Sequence, residues 1–414
     1  MPEPHAPLPE YLQDVRPRFR QPSAADLSVP VPAMTTDQTN EQVMDMFSRH
    51  RDLNGLPVVE GDRPIGLINR NIFLSQMSKP FHRELYNRKS CIAFMDKDPL
   101  IVDAAMGIEE LTFKTVEHGE KALSDGFIVT RDGGFSGVGQ GLQLMRVVAE
   151  VQASRNRQVR HRIEYASVIQ RSMLRTSREA LAQSGTDADL VWEPRDVVGG
   201  DFYQFAATPE GWFATVADCT GHGVPGAFMT LIASITLSKA IEQFGPRDPA
   251  RLLATVNRSI KQMLGQVDGV DETPGSNDGM DAACFAFDTT RRELHFSGAK
   301  SSLFVLHPGQ AGVEMVDGDR HGVGYVDSDP DFTWHNQTVA LQASSLVFVT
   351  TDGLVDQIGG PKAIAFGKRR IRDVLLTHRN AKAADINAAM QRELQAWQGE
   401  QLRRDDVTFF CFRA

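Results

Sequence analysis

The sequence of 414 residues contains only four cysteines, Cys91, Cys219, Cys284 and Cys411, spaced too widely to form a CxxC ligand pair. That scarcity excludes a disulfide-stapled secreted scaffold and a structural zinc knuckle, and it fits a reducing cytoplasm. No uninterrupted run approaches the roughly 18 apolar residues of a membrane span. The start, Met1-Pro2-Glu3-Pro4-His5, lacks the charged-then-apolar layout of a signal peptide. The expectation is therefore a cytoplasmic protein with no membrane partner. Positive charge is also in deficit. Lys and Arg total 44 against 53 Asp and Glu, leaving a net charge of −9 and a pI near 5.7, which weighs against a nucleic-acid partner.

What is present points to several domains. The length exceeds one ordinary core. Residues 1–32 hold eight of the 21 prolines and read as a tail. From 33 to 144 a small α/β pattern occurs twice. Thr36 to Arg51 reads as a capped helix, followed by strands Gly55-Leu56-Pro57-Val58-Val59 and Pro64-Ile65-Gly66-Leu67-Ile68. A looser copy runs from Pro99 to Gly139, with its turn at Arg131-Asp132-Gly133-Gly134. Residues 145–182 predict one long helix, with Val159, Ile163, Ala166, Ile169 and Met173 as an apolar stripe amid many arginines. Such a stripe suits a dimerising signalling helix; the other reading is a helix packed on its own domain, its arginines a solvated face. From 183 to 414 nine strand candidates accompany two helical blocks, Pro225 to Leu264 and Lys368 to Trp397. The expected fold class is α+β, an antiparallel two-sheet sandwich flanked by helices.

Four acids carry the chemical signal. Asp201 follows Gly199-Gly200, Asp218 ends Phe213-Ala214-Thr215-Val216-Ala217, Asp352 ends Leu346 to Thr351, and Asp405 opens the last strand beside Asp406. Carboxylates at strand ends cost free energy unless a cation compensates them. Oxygen-only donors point to magnesium or manganese, and a pair of such ions serves water attack on a phosphate ester. In Asp218-Cys219-Thr220-Gly221-His222-Gly223 a strand gives way to a glycine-rich turn and then a helix. That brings the Asp218 carboxylate and the Cys219 carbonyl to one sheet edge. Arg195 is a candidate phosphate fork, His222 a candidate proton donor, and Asp278 with Asp281 a candidate peripheral metal site. Each also has a plain structural reading: a surface ion pair, a packed turn residue and turn formers. Gly265 to Asn277 reads as a polar loop.

Two resemblances add to this reading. Leu56 to Ile68, with its echo, resembles a tandem cystathionine-β-synthase (CBS) domain pair. Such pairs commonly bind adenine nucleotides through a Thr or Ser and a downstream Asp. Here those positions are Asn69 and Ile72 in the first copy, and Gln140 and Gln143 in the second, which argues against a nucleotide.

Arg195 to Tyr203, Ala217 to Ala227, Gly279 to Ala283, Phe296 to Ala299, Thr351-Asp352-Gly353 and Asp405 to Thr408 resemble, in order, the SpoIIE/RsbU branch of the PPM-type Ser/Thr phosphatases. That resemblance implies two Mn²⁺ or Mg²⁺ ions at one end of the sandwich. Asp218 would bridge them, Asp201 and the Cys219 carbonyl would complete one site, and Asp352 and Asp405 the other. It also implies a phosphorylated STAS-domain anti-sigma-factor antagonist as substrate, and a homodimer regulated by the front module. The alternative is a decayed phosphatase that only binds partners.

Overall fold

The computed structural model describes residues 22–266 and 277–414. Most of the expected tail, residues 1–21, and most of the expected polar loop, residues 267–276, lie outside the described residues. The chain forms two compact units that divide between Gln158 and Val159. The division falls inside one continuous helix, Gly141–Gln183.

The first unit is built from the repeated motif. Its first sheet orders Met34–Thr35, Gly55–Glu60 and Arg63–Asn69, with the first pair parallel and the second antiparallel. The second sheet repeats this with Ile101–Asp103, Phe127–Arg131 and Gly134–Gly139. Helix Asn40–Arg49 starts later than the sequence suggests because Thr39 is its cap. The Thr39 N–H donates to Gln42 Oε1 at 2.8 Å, which satisfies an otherwise orphaned donor. Val43 and Phe47, four residues apart, are buried by that helix, each worth roughly 1.5–3 kcal/mol. The short lead-in strands Met34–Thr35 and Ile101–Asp103 escaped the sequence reading, since parallel pairs this short leave no alternating pattern. Part of the supposed tail is folded: Ala24 and Leu27 are buried with Leu100, Val102 and Phe127, and Val29 bridges Val138.

In the second unit two five-stranded antiparallel sheets face each other. One orders Gln337–Ala340, Glu293–Ala299, Met280–Asp288, Gly211–Cys219 and Asp201–Thr208. The other orders Glu314–Asp317, Ser302–Leu306, Leu346–Thr350, Val407–Arg413 and Ala188–Glu193. Strand periodicity divides the cores. Along Gly211–Cys219, Trp212, Ala214 and Val216 point between the sheets, while Phe213 and Ala217 point to the helices outside. Trp212 anchors the inner layer, its ring 4.7 Å from that of Phe412 and nearly perpendicular to it. Gly223–Phe244 and Pro249–Met263 cover the first sheet, and Gly367–Thr377 and Ala383–Gln398 cover the second.

All nine expected strands are present. The extra edge strand Glu314–Asp317 is too polar to read from sequence. Helix Gly223–Phe244 is by length and composition apolar enough to cross a membrane, although the sequence showed no unbroken apolar run. Its Met229, Ala233, Leu237 and Ala240 are buried in the sandwich unit's own core.

The long helix docks on the sandwich by a face that overlaps the expected stripe, of which Ile163, Ala166 and Met173 are partly buried. Ser167, Gln170, Leu174 and Ser177 are buried at three- and four-residue steps, whereas Val159 and Ile169 remain 53% and 49% exposed. The docking contact is polar: Gln170 Nε2 donates to the Gly199 carbonyl at 2.7 Å, and the Gly199 N–H donates back to Gln170 Oε1.

Candidate active site

Strand register assembles the site. Asp201 stands opposite Asp218, and Asp218 opposite Asp281, so three acids form a row across adjacent strands of the first sheet. The second sheet supplies the others. Leu346–Thr350 ends just before Asp352, the first residue of a short helix Asp352–Val355, and Asp405 and Asp406 precede Val407–Arg413. Thr351 ties the two sheets together. Its Oγ1 donates to Asp201 Oδ2 at 2.8 Å and accepts from the Thr408 N–H at 3.0 Å.

The two adjacent acids have separate work. Asp406 is buried, and its oxygens accept from the backbone N–H groups of Arg195 and Gly200, both at 2.6 Å. Its carboxylate thus clasps the loop that carries Asp201. Asp405 instead lines an open cavity of about 270 Å³ with Asp352, Asp356 and Arg404. Gly200 permits the close packing, since a Cβ there would press on the carbonyls of Gly221 and Cys219.

The electrostatics are those of a site short of positive charge. Burial, followed by the charges of Asp201 and Asp352, pushes the Asp218 carboxyl up to about 11. Burial also raises Asp201 well above the carboxylate range, against the hydrogen bond from Thr351, and it raises Asp352 and Asp281. Asp201 Oδ1 is shut away from solvent with no hydrogen-bond partner. Among the described residues, no group of three or more His, Cys, Asp or Glu side chains is already drawn in to metal-holding distance. Even so, an orphaned carboxylate oxygen amid mutually repelling acids is a donor set that fits hard divalent cations. The Cys219 thiol is buried, and its pKa is driven up first by burial and then by Asp218 and Asp201, so it is not a reactive nucleophile.

A second cavity, of about 130 Å³, opens beside Asp218 and Asp352, with Asp281, Lys300, Thr350, Thr351 and Lys368 among its walls. These two lysines were missed in the sequence. Lys300 directly follows Gly298-Ala299 in the turn that leads from one sheet to the other, and a cation at a turn carries no periodic signal. Arg195 lines neither cavity; its guanidinium donates to the Arg404 carbonyl at 3.0 Å. His222 pairs with Asp196 at 3.0 Å, both about half-exposed. Asp278 is held through its backbone by Gln266, and only Asp281 of that pair reaches the acid row.

Residues 208–414 match the family model for stage II sporulation protein E, SpoIIE, and residues 24–79 match the CBS domain. The chain belongs to the SpoIIE family. The SiaA PP2C domain of Pseudomonas aeruginosa is 36% identical over 63% of this chain and 99% of that one, with a TM-score of 0.57. The phosphatase domain of Bacillus subtilis SpoIIE, with a fragment of its regulatory domain, is 17% identical, over 55% of this chain and 62% of that one (TM-score 0.43). The RsbU and RsbW domains of a Mycobacterium tuberculosis protein give 20%, 55%, 60% and 0.43 for the same measures. No curated protein matches. The SpoIIE domain is therefore a PPM-type phosphatase domain preceded by a CBS domain.

In the first unit, of which the CBS match covers only residues 24–79, the cleft lined by Gly55, Asp125, Val138 and Gln140 encloses only about 10 Å³, about the space of one water. Asn69, at one of the expected nucleotide-contact positions, instead donates to Asp125 Oδ1 at 2.5 Å.

Proposed function

We propose that this SpoIIE-family protein is a metal-dependent phosphoserine/phosphothreonine protein phosphatase whose front module regulates it. The observation that carries the proposal is the acid row Asp201, Asp218 and Asp281, met by Asp352 and Asp405 from the other sheet. Asp201, Asp218 and the Cys219 carbonyl would hold one Mn²⁺ or Mg²⁺; Asp218, Asp352 and Asp405 would hold the other. Bound there, the pair would supply a low-pKa water and neutralise phosphoryl oxygens. The chain's own residues fix the donors: Thr351 and Asp406 hold the Asp201 loop, and Gln170 holds Gly199.

Cavity size supports a protein substrate. About 130 Å³ beside Asp218 admits a phosphoryl group, whereas small-molecule pockets span roughly 300–1,000 Å³. Family membership makes a phosphorylated STAS-domain anti-sigma-factor antagonist the substrate class we favour. The linker helix would act as a dimer through its exposed Val159 and Ile169, with Gln170 as its hold on the active-site loop. The test is Mn²⁺-dependent release of phosphate from a phosphoserine STAS domain, by the full chain and by Gln170→Ala. Release by the full chain that Gln170→Ala changes several-fold supports the reading. No release from any phosphoprotein refutes it and favours a binding scaffold.

A further inference from the structure

We infer that Lys300 is the residue that grips the substrate's phosphoryl group, and that Asp281 serves to position Lys300 rather than to hold a cation. This rests on the phosphatase reading above and names a residue that reading does not use.

A phosphoryl group arrives with negative oxygens, and acids dominate the wall around Asp218. Of the side chains lining that cavity, only Lys300 and Lys368 are cationic. Lys368 is exposed in the first turn of Gly367–Thr377 and makes no ion pair among the described residues. Arg195, the residue the sequence favoured, is spent on the Arg404 carbonyl.

Lys300 is the better placed of the two because four features hold it. It sits in the turn that crosses from Glu293–Ala299 of one sheet to Ser302–Leu306 of the other, with φ of 53°, a left-handed backbone uncommon for a residue with a Cβ. Its N–H donates to the Asp319 carbonyl at 2.7 Å, which fixes that turn. Its Nζ lies 3.7 Å from Asp281 Oδ1, an ion-pair distance too long for a hydrogen bond. The same ammonium stands 4.3 Å from the centroid of the Tyr325 ring. A strained backbone at a cavity wall is what positional control of one side chain looks like.

The Tyr325 support is itself anchored at some cost. Lys261 is 1% exposed, and its Nζ donates to the Tyr325 carbonyl at 2.6 Å. Asn257 is fully buried; it accepts from the Gly324 N–H at 2.7 Å and donates to the Asp329 carbonyl at 2.9 Å. Burying a lysine and an asparagine to pin one loop is expensive unless the loop's position matters. Asp281 Oδ1 is shut from solvent and makes no hydrogen bond, so the nearby ammonium is its compensating charge. A cation is thus already present where the sequence allowed a peripheral metal, and it is covalently part of the chain.

The experiment uses the full-length protein with Mn²⁺. It compares wild type, Lys300→Met, Lys300→Arg and Asp281→Asn, reading kcat and KM on p-nitrophenyl phosphate, inhibition by inorganic phosphate, and Mn²⁺ stoichiometry by titration calorimetry. Loss of one charge-assisted contact predicts a fall of about 10- to 100-fold in kcat/KM and in phosphate affinity for Lys300→Met. Lys300→Arg restores part of the loss, Asp281→Asn loses less, and Mn²⁺ stoichiometry is unchanged in all of them. A Lys300→Met enzyme within twofold of wild type on both measures overturns the inference, as does loss of one Mn²⁺ equivalent in Asp281→Asn. Failure of the phosphatase reading is distinguishable, because wild type itself would then be inactive. In that case calorimetric phosphate binding decides the role of Lys300: binding lost in Lys300→Met supports it, and binding retained overturns it.

Discussion

Thr351 Oγ1 donates to Asp201 Oδ2 at 2.8 Å, joining an acid of one sheet to the strand end of the other. The two residues are 150 positions apart in the chain, and the bond fixes which oxygen of Asp201 remains for a cation. Oδ1 is that oxygen, buried and without a hydrogen-bond partner. Removing the hydroxyl in Thr351→Val frees the carboxylate to rotate. Supporting contacts of this kind are worth about 10- to 100-fold in metal affinity. Titration calorimetry with Mn²⁺ should show a loss of that size, and unchanged affinity contradicts the role given to Thr351.

Asp406 and Asp405 should separate cleanly. Asp406→Ala strands two N–H groups, those of Arg195 and Gly200, at about 1–3 kcal/mol each. A clear drop in denaturant midpoint is expected. Asp405→Asn touches neither bond, so stability should hold while Mn²⁺ affinity falls. The reverse pattern would exchange their roles.

The site also sets a pH dependence in the metal-free protein. Folded-state pKa values above the unfolded ones mean that folding takes up protons. The stability they confer is complete below about pH 4 and is lost as pH rises toward the raised values, about 11 for Asp218. With chelator present, the melting temperature should therefore fall between pH 5 and 8, and saturating Mn²⁺ should flatten that slope. Asp218→Asn should melt higher than wild type in chelator. A chelated wild type whose stability rises over that range would contradict the crowding.

The linker helix keeps Val159 and Ile169 about half-exposed while it docks through Ser167, Gln170, Leu174 and Ser177. Sedimentation should find wild type dimeric at micromolar concentration and Ile169→Glu shifted toward monomer. A wild type that stays monomeric removes the dimer from the account.

Much of this was legible in the sequence. Alternating residues such as Trp212, Ala214 and Val216 fixed the strands, and the acids at the ends of apolar runs marked the site before any register was known. Three things were not legible. That Asp406 clasps the loop of Asp201 depends on the backbone donors of Arg195 and Gly200, some two hundred residues away. The docking face of the linker helix mixes Leu174 with Ser167, Gln170 and Ser177, so a search for apolar periodicity found only its flank, Ile163, Ala166 and Met173. Lys300 sits in a tight turn that crosses between the sheets, and only the folded structure shows that this turn opens beside Asp218.

The central claim is that these acids hold divalent ions that hydrolyse phosphoesters. Its most direct test is hydrolysis of p-nitrophenyl phosphate by the full-length chain with and without Mn²⁺, alongside Asp218→Asn. The account predicts activity that requires the metal and falls by about 10²-fold or more in the variant. A folded wild-type protein that binds Mn²⁺ yet shows no turnover, or turnover untouched by Asp218→Asn, would contradict it.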